Sequence, residues 1–409
     1  MSNRAVAIII AGFFTLFASF AIRYGYGLLL PEMIPSLGIS KTEAGIIYSS
    51  YFIAYTIFSP ILGLLVDRSD AKLLLTFFVA LLGIGAYLMS FSSSVLYASL
   101  FFTLAGIGHS ACWVPVVTVV QRWVSERRRG MVLAIVDLGS ATGIAVWSIL
   151  IPLIISSYSW RGGWRSLGLL AFLVAGMNFF LVKSHPPVES SPSGPKVAAS
   201  ARIPIKEAYM AIFRDRNFYL IGLSYMLLSF CILIPFAFLA TYATQELLIP
   251  YKSATILVAV IGVTGAFGKL VLSHVSDIAG RIWVMMLCGA LTAAGGLGMT
   301  YVHGFSGLIL FTAVFGIGYG TIWPVYAAAA RDFFSKEYAG SVVGLWTLCH
   351  GTGSILSPLI SGWTIDVTGS YMWAFLLTVI TGVMSLLLLI PILMGGSDSS
   401  VTAGSRPLS

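Results

Sequence analysis

"GIGHSACW", residues 106–113, and "GIGYGTIW", residues 316–323, are one phrase written twice, 210 residues apart. At that single offset much of the remaining chain falls into register. Ser19, Phe20 and Ile22 meet Ser229, Phe230 and Ile232, and Asp67 meets Asp277. Ser125 and Gly130 meet Ser335 and Gly340; Thr142 and Gly143 meet Thr352 and Gly353. One spacing held over so many segments marks an internal duplication, and its two copies must build the same unit.

That unit is made for lipid. The chain has 409 residues, 58% of them hydrophobic and 9% charged, where a soluble protein carries about 25% charged residues. Apolar runs long enough to cross ~30 Å of hydrocarbon as helices recur along its length. The approximate spans are 6–33, 43–66, 73–92, 95–120, 131–156 and 165–183, then 217–241, 253–276, 282–301, 305–329, 340–364 and 371–394. The alternation of a membrane strand is missing. The expected fold is an all-α membrane protein of twelve transmembrane helices. Two six-helix bundles, 1–183 and 210–394, are related by a pseudo-two-fold axis along the membrane normal. A Pro- and Ser-rich segment, 184–209, reads as a cytoplasmic linker, and 395–409 as a disordered cytoplasmic tail.

Basic residues set the orientation. With the N-terminus inside, the inner segments hold most of them, including Arg122, Arg127, Arg128, Arg129, Arg214, Arg216 and Arg331. The outer segments hold only Lys41, Arg161, Arg165 and Lys252. The net charge of +8 is therefore a topology signal and no nucleic-acid footprint. The first apolar run is too long for a cleavable signal, so none is expected. Cys112, Cys231, Cys288 and Cys349 lack metal spacing and read as packing residues.

The loop "GLLVDRSDAK" (63–72) resembles a signature of the major facilitator superfamily, Gly-x-x-x-Asp-Arg-x-Gly-x-Lys, with Asp70 in place of its second glycine. "SHVSDIAGR" (273–281) is similar to the second copy of that signature. "QRWVSERRRGMVLAIVDLGSATG" (121–143) is similar to the stretch joining spans 4 and 5 in the monocarboxylate-porter and oxalate/formate branches. The resemblance covers nearly the whole chain and implies a secondary transporter working by alternating access. It implies a gating role for Asp67, Arg68, Lys72, Asp277 and Arg281, carboxylates and cations at helix ends that can latch one conformation.

Two cations fall inside the membrane, Arg23 and Lys269. A lipid-facing arginine near the bilayer centre costs at least ~2.5–3.5 kcal/mol. At helical spacing Arg23 shares a face with Ser19, Tyr26 and Gly27, a polar stripe suited to the bundle interior. The plainer readings are snorkelling to the outer headgroups or an ion pair with Glu32. "GKLVLSHVSDIAGR" (268–281) is similar to a span-8 pattern of the monocarboxylate and oxalate/formate porters, in which a basic residue after glycine, usually arginine, binds the substrate carboxylate. Lys269 holds that position; its plainer role is an ion pair with a helix-end carboxylate. One cation from each half makes a clamp for an anion, or holds an internal carboxylate.

Asp137 is the one carboxylate deep in a span, a candidate proton carrier or a partner of Arg127–Arg129. His109 and His350 can titrate near neutral pH and are proton-coupling candidates; each can equally be a buried histidine satisfied by backbone. "CHG" (349–351) resembles the Ala-Lys-Gly of the oxalate/formate branch, which makes His350 a substrate contact as well. Tyr26 and Tyr319 offer hydroxyls to a carboxylate, and Trp323 is a gate or a packing residue.

No catalytic constellation, metal cluster or phosphate loop assembles, so neither an enzyme nor a cofactor is expected. The function expected is transport of small organic anions, monocarboxylate-like and coupled to protons, by a monomer in the cell inner membrane with both termini cytoplasmic. An anion exchanger of the oxalate/formate type is the alternative. A multidrug efflux antiporter ranks behind both, because span 5, "GSATGIAVW" (139–147), lacks the Gly-Pro run of those porters.

Overall fold

A computed structural model describes residues 3–66, 69–184, 205–335 and 338–394. Asp67 and Arg68, most of the expected linker and the expected tail 395–409 lie outside the described residues. Among the described residues fourteen helices follow one another: α1 (Asn3–Leu37), α2 (Lys41–Val66), α3 (Ala71–Met89), α4 (Val95–Ser110), α5 (Trp113–Trp123), α6 (Glu126–Leu181) and α7 (Ile205–Arg214). Then come α8 (Arg216–Gln245), α9 (Tyr251–Ala279), α10 (Arg281–Tyr301), α11 (Phe305–Gly320), α12 (Ile322–Phe333), α13 (Ala339–Thr368) and α14 (Tyr371–Leu387).

Ten stretches of the described residues are long and apolar enough to cross a membrane. One of them, α6, is two spans, because the chain turns at Ser159, where φ is 58°. The thirty-residue α13 is absent from the ten and completes the twelve. Its serines lower its hydropathy and are used inside the protein. Ser354 pairs with Ser229 at 2.7 Å and Ser357 donates to the Phe230 carbonyl at 2.7 Å, both on α8. Polar side chains in membrane helices bond to neighbouring helices in this way.

The two copies of the repeated phrase mark the same break. α4 ends at a cap on Ala111 and α11 at a cap on Thr321, and these positions are equivalent at the 210-residue offset. Pro115 and Pro324 follow shortly in the next helices. Each lacks the N–H that would bond the carbonyl four residues back, so the helix is interrupted there. α4 with α5, and α11 with α12, thus form spans 4 and 10. The pairings repeat as well: α1 packs on α6 as α8 packs on α13, and α3 on α4 as α10 on α11.

Between the halves, α2 lies on α13, α6 on α9 and α1 on α8. At one end of the bundle, the Lys41 face, these contacts are backbone to backbone. A methyl group on Gly27 would overlap the Phe236 carbonyl of α8, and one on Gly45 would overlap that of Pro358 on α13. The Tyr251 hydroxyl donates to the Leu28 carbonyl at 2.6 Å, and Ser49 Oγ to the Ile355 carbonyl at 2.7 Å. The Lys41 face is closed.

Two details depart from the sequence reading. The segment expected as solvated linker ends in an ordered helix, α7, so the 209/210 boundary falls inside an element. Asp70, which replaces the signature glycine, has a structural use. It caps α3 by accepting the Lys72 N–H at 2.9 Å, and it accepts the Ser184 hydroxyl at the end of span 6. The Ser184 hydroxyl, followed by the Lys72 and Leu73 N–H groups and the Lys72 charge, outweighs burial and holds the Asp70 carboxyl below its ordinary value. The tie is intact above the carboxylate range and is lost only as pH falls below it.

Replacing Gly27 with valine will block closure of the Lys41 face while the two halves still fold. The check is increased labelling of a cysteine placed at Ser36, with unchanged monodispersity in detergent.

Candidate functional site

Arg23 lies in the middle of this closed frame. It is 2% exposed, and among the described residues no carboxylate pairs with it, Glu32 included. Its guanidinium carbon sits 4.7 Å from the Phe52 ring centre, 5.2 Å from Tyr55, 5.5 Å from Tyr24 and 5.8 Å from Phe20. Ring faces stabilise a cation by about 0.5–2 kcal/mol each, but they accept no conventional hydrogen bond. Nε and Nη2 have no partner. Those two nitrogens form one edge of the guanidinium, the edge that meets both oxygens of a carboxylate.

Unused polar groups gather on the facing elements. His350 of α13 is 2% exposed and its Nε2 is unpartnered, as are the Tyr48 hydroxyl and Thr56 Oγ1 of α2. The His350 ring lies 4.8 Å from Tyr225 and 5.1 Å from Trp323, and Thr56 packs against the adjacent Gly351. The Tyr319 hydroxyl donates to that of Tyr24 at 3.2 Å, joining α11 to α1 across the halves. An aromatic wall therefore runs from Tyr24 and Phe236 through Tyr319 and Trp323 to His350.

Lys269 has a partner. Its Nζ lies 2.6 Å from Asp137 Oδ2, a contact between α9 and α6 with 17% and 16% side-chain exposure. Ser140 bonds the second carboxylate oxygen at 3.2 Å. Lys269 is thus engaged by an internal carboxylate in mid-span, and Asp137 is engaged by Lys269 and not by Arg127–Arg129. Tyr319 stands against Gly265, one turn from Lys269 on α9, and so lies between the pair and Arg23.

Other expected site residues are placed differently. The Tyr26 hydroxyl donates to the Ala44 carbonyl at 2.7 Å, and its ring stacks between Tyr48 and Phe102. Its donor is therefore spent inside the N-terminal half. His109 shares a 2.6 Å hydrogen bond with Tyr51, as a satisfied core histidine does. Lys72 places its ammonium 4.2 Å from the Phe179 ring in its own half. Arg281 binds Asp277 and reaches Asp332 on α12 at 3.1 Å, also within one half. The sequence reading missed Tyr24, Phe52, Tyr55 and Tyr48. A signal existed, since Tyr48, Tyr51 and Tyr55 recur at helical spacing along α2.

The chain matches the Major Facilitator Superfamily over residues 12–281 and again over 233–406. It is 23% identical over 372 residues to the hexuronate transporter of Bacillus subtilis (strain 168), covering 87% of this chain and 86% of that protein. It is 26% identical over 340 residues to monocarboxylate transporter 12-B of Danio rerio, covering 76% and 70%. Monocarboxylate transporter 4 of Gallus gallus is 23% identical over 389 residues, covering 93% and 80%. A bacterial homolog of the human lysosomal transporter Spinster, inward-facing and unoccupied, superposes with a TM-score of 0.81 at 14% identity, covering 96% and 98%. The nucleoside transporter NupG gives 0.73 at 15% identity, covering 96% and 99%. These structures share the fold.

Breaking either side of the ion pair leaves a charge in a half-dry site. Lys269→Gln and Asp137→Asn will each lower stability by about 1–3 kcal/mol, less than a fully buried pair would cost. The double substitution will recover part of that loss. Thermal unfolding in detergent, run as a double-mutant cycle, measures the coupling.

Proposed function

The chain belongs to the Major Facilitator Superfamily, and from that premise we propose that it is a secondary transporter of small organic monoanions, bound through their carboxylate by Arg23. The observation that carries this reading is the unpaired Nε and Nη2 edge of a buried guanidinium. Two parallel N–H donors on a fixed plane fit a carboxylate better than a point charge does. The relatives named for monocarboxylates and for hexuronates handle quite different molecules, and a carboxylate is what those molecules share.

The site takes one negative charge. Asp137 already balances Lys269, so Arg23 is the cation left without a counter-charge among the described intramembrane groups. In this scheme His350 Nε2, unpartnered in the other half, meets the same anion, and closure of both halves on it would then bridge them. Tyr319, which stands against Gly265 of α9 and bonds Tyr24 of α1, separates this site from the Lys269–Asp137 pair.

Asp137 is the proton carrier in this scheme. A proton arriving on its carboxylate cancels its charge, breaks the tie between α6 and α9 and frees the Lys269 ammonium. An anion entering toward Arg23 is then favoured by two positive charges, and proton and anion move together. Return of the empty carrier requires Asp137 to lose its proton and remake the pair. The halves, 1–183 and 210–394, rock about the bound anion, and the transporter works as a monomer. The distribution of basic residues supports a cytoplasmic Arg281 face and cytoplasmic termini, with the Lys41 face outside, in a cell inner membrane.

Uptake into proteoliposomes tests the reading with lactate, pyruvate, benzoate, a hexuronate, oxalate and a lipophilic cation, each with and without an inward proton gradient. At least one monoanion will accumulate under the gradient. Arg23→Gln will lower its saturable uptake at least about thirtyfold, the scale of losing a buried charge-assisted contact. Arg23→Lys will restore only part of it, and Asp137→Asn will uncouple uptake from the gradient. Uptake driven only by preloaded anion identifies an exchanger and removes Asp137 from the mechanism. Movement of the cation alone overturns the proposal.

A further inference from the structure

We propose that Asp366 is a one-sided latch on the Lys41 face, a carboxylate on α13 that holds the two halves shut by capping the N-terminus of α2. Its Oδ1 accepts the Lys41 N–H at 3.0 Å. Its Oδ2 accepts the Thr42 N–H at 2.7 Å and the Thr42 hydroxyl at 2.6 Å. The partners come from opposite halves, more than 320 residues apart in sequence. The first N–H groups of a helix lack intrahelical acceptors and carry the positive end of its dipole, so a carboxylate there is favourable.

The α2 terminus is built to survive without the latch. Ser40 and Glu43 form a local capping box: the Glu43 N–H donates to Ser40 Oγ at 3.1 Å and the Ser40 N–H to the Glu43 carboxylate at 2.8 Å. That box serves Ser40 and Glu43 and leaves the Lys41 and Thr42 N–H groups to Asp366. When the halves part, those two donors and the carboxylate pass to water at an exposed face, and α2 keeps its end. Such a bond biases an equilibrium and does not lock it.

The repeat shows that the latch is an addition to the fold. At the 210-residue offset Asp366 corresponds to Ser156, and Lys41 and Thr42 to Tyr251 and Lys252. Ser156 donates to the Leu153 carbonyl of its own helix, and the residue before α9, Pro250, makes no side-chain cap. The same chemistry does occur within one half: Glu246 accepts the Tyr371 N–H at 3.0 Å at the start of α14. Of these two carboxylate caps, only that of Asp366 spans the halves and must break for the Lys41 face to open.

The test rests on the outward placement of the Lys41 face for its transport readout, but not for its distance readout. Spin labels on cysteines at Ser36 and Val367, with the native cysteines replaced, report the separation of the halves at this face. Asp366→Asn, close in size and at an exposed site, will raise the open population about two- to tenfold, the range for a partly solvated charge at a helix end. Thr42→Ala will shift it the same way by less. Glu246→Gln will leave it unchanged. The half-saturation concentration for anion added outside will fall by the factor by which the open fraction rises. An unchanged distance distribution in folded, monodisperse Asp366→Asn overturns the latch, and so does equal opening by Glu246→Gln. Loss of all anion uptake in the unsubstituted protein would overturn the transport reading and leave the distance result standing.

Discussion

A guanidinium buried without a carboxylate is the constraint around which the centre of this molecule is arranged. Arg23 is 2% exposed, in a region where an isolated charge is expensive. Four aromatic rings supply the stabilisation that the fold offers, with the closest centre 4.7 Å away. That choice has a chemical consequence. A carboxylate partner would have satisfied the donors and silenced them, whereas ring faces steady the charge and leave Nε and Nη2 open. The α2 tyrosine stripe, the Tyr24–Tyr319 hydrogen bond and the approach of His350 are all consequences of keeping one cation both buried and available.

The second intramembrane cation is handled in the opposite way. Lys269 is given Asp137, and Ser140 takes the remaining carboxylate oxygen. Lysine suits a pair that must separate, since its compact ammonium meets one oxygen, where an arginine fork would hold both. The pair also joins α6 to α9, two helices from different halves. Charge balance and the mechanical tie between the halves are thus one contact, and anything that neutralises Asp137 alters both at once.

The frame was legible in the sequence because it is repeated. The fixed offset and the apolar runs determine twelve spans, and the two helix breaks fall on equivalent residues. The site was legible as a set of charges but not as a geometry. Arg23 pointed toward Tyr26 on a helical wheel, yet helical side chains lean toward the N-terminus. A long arginine therefore lies over the turn before it, beside Phe20, with Tyr24 of its own helix and with Phe52 and Tyr55 of α2 around it. The Lys269–Asp137 contact was open to both readings in the sequence, since nothing in either span says which distant helix it faces. Asp366 gave no signal, because an acidic residue near a loop is ordinary until the N-terminus beneath it is known.

Symmetry and chemistry are divided between different residues. The glycines that let helices touch recur in both copies, Gly106 with Gly316 and Gly108 with Gly318. The charged and titratable groups of the site and the latch do not. At the same offset Arg23 faces Leu233, Asp137 faces Thr347, Lys269 faces Ser59, His350 faces Ser140 and Asp366 faces Ser156. Two halves with identical chemistry would place like charges against one another across the central axis, where the low dielectric magnifies repulsion. Placing each charge in one copy lets its complement come from the other: Lys269 from one half meets Asp137 and Ser140 from the other, and Asp366 meets α2. The duplicated backbone makes the two arrangements of the halves close in energy, and the unpaired substitutions determine which of them is held and by what.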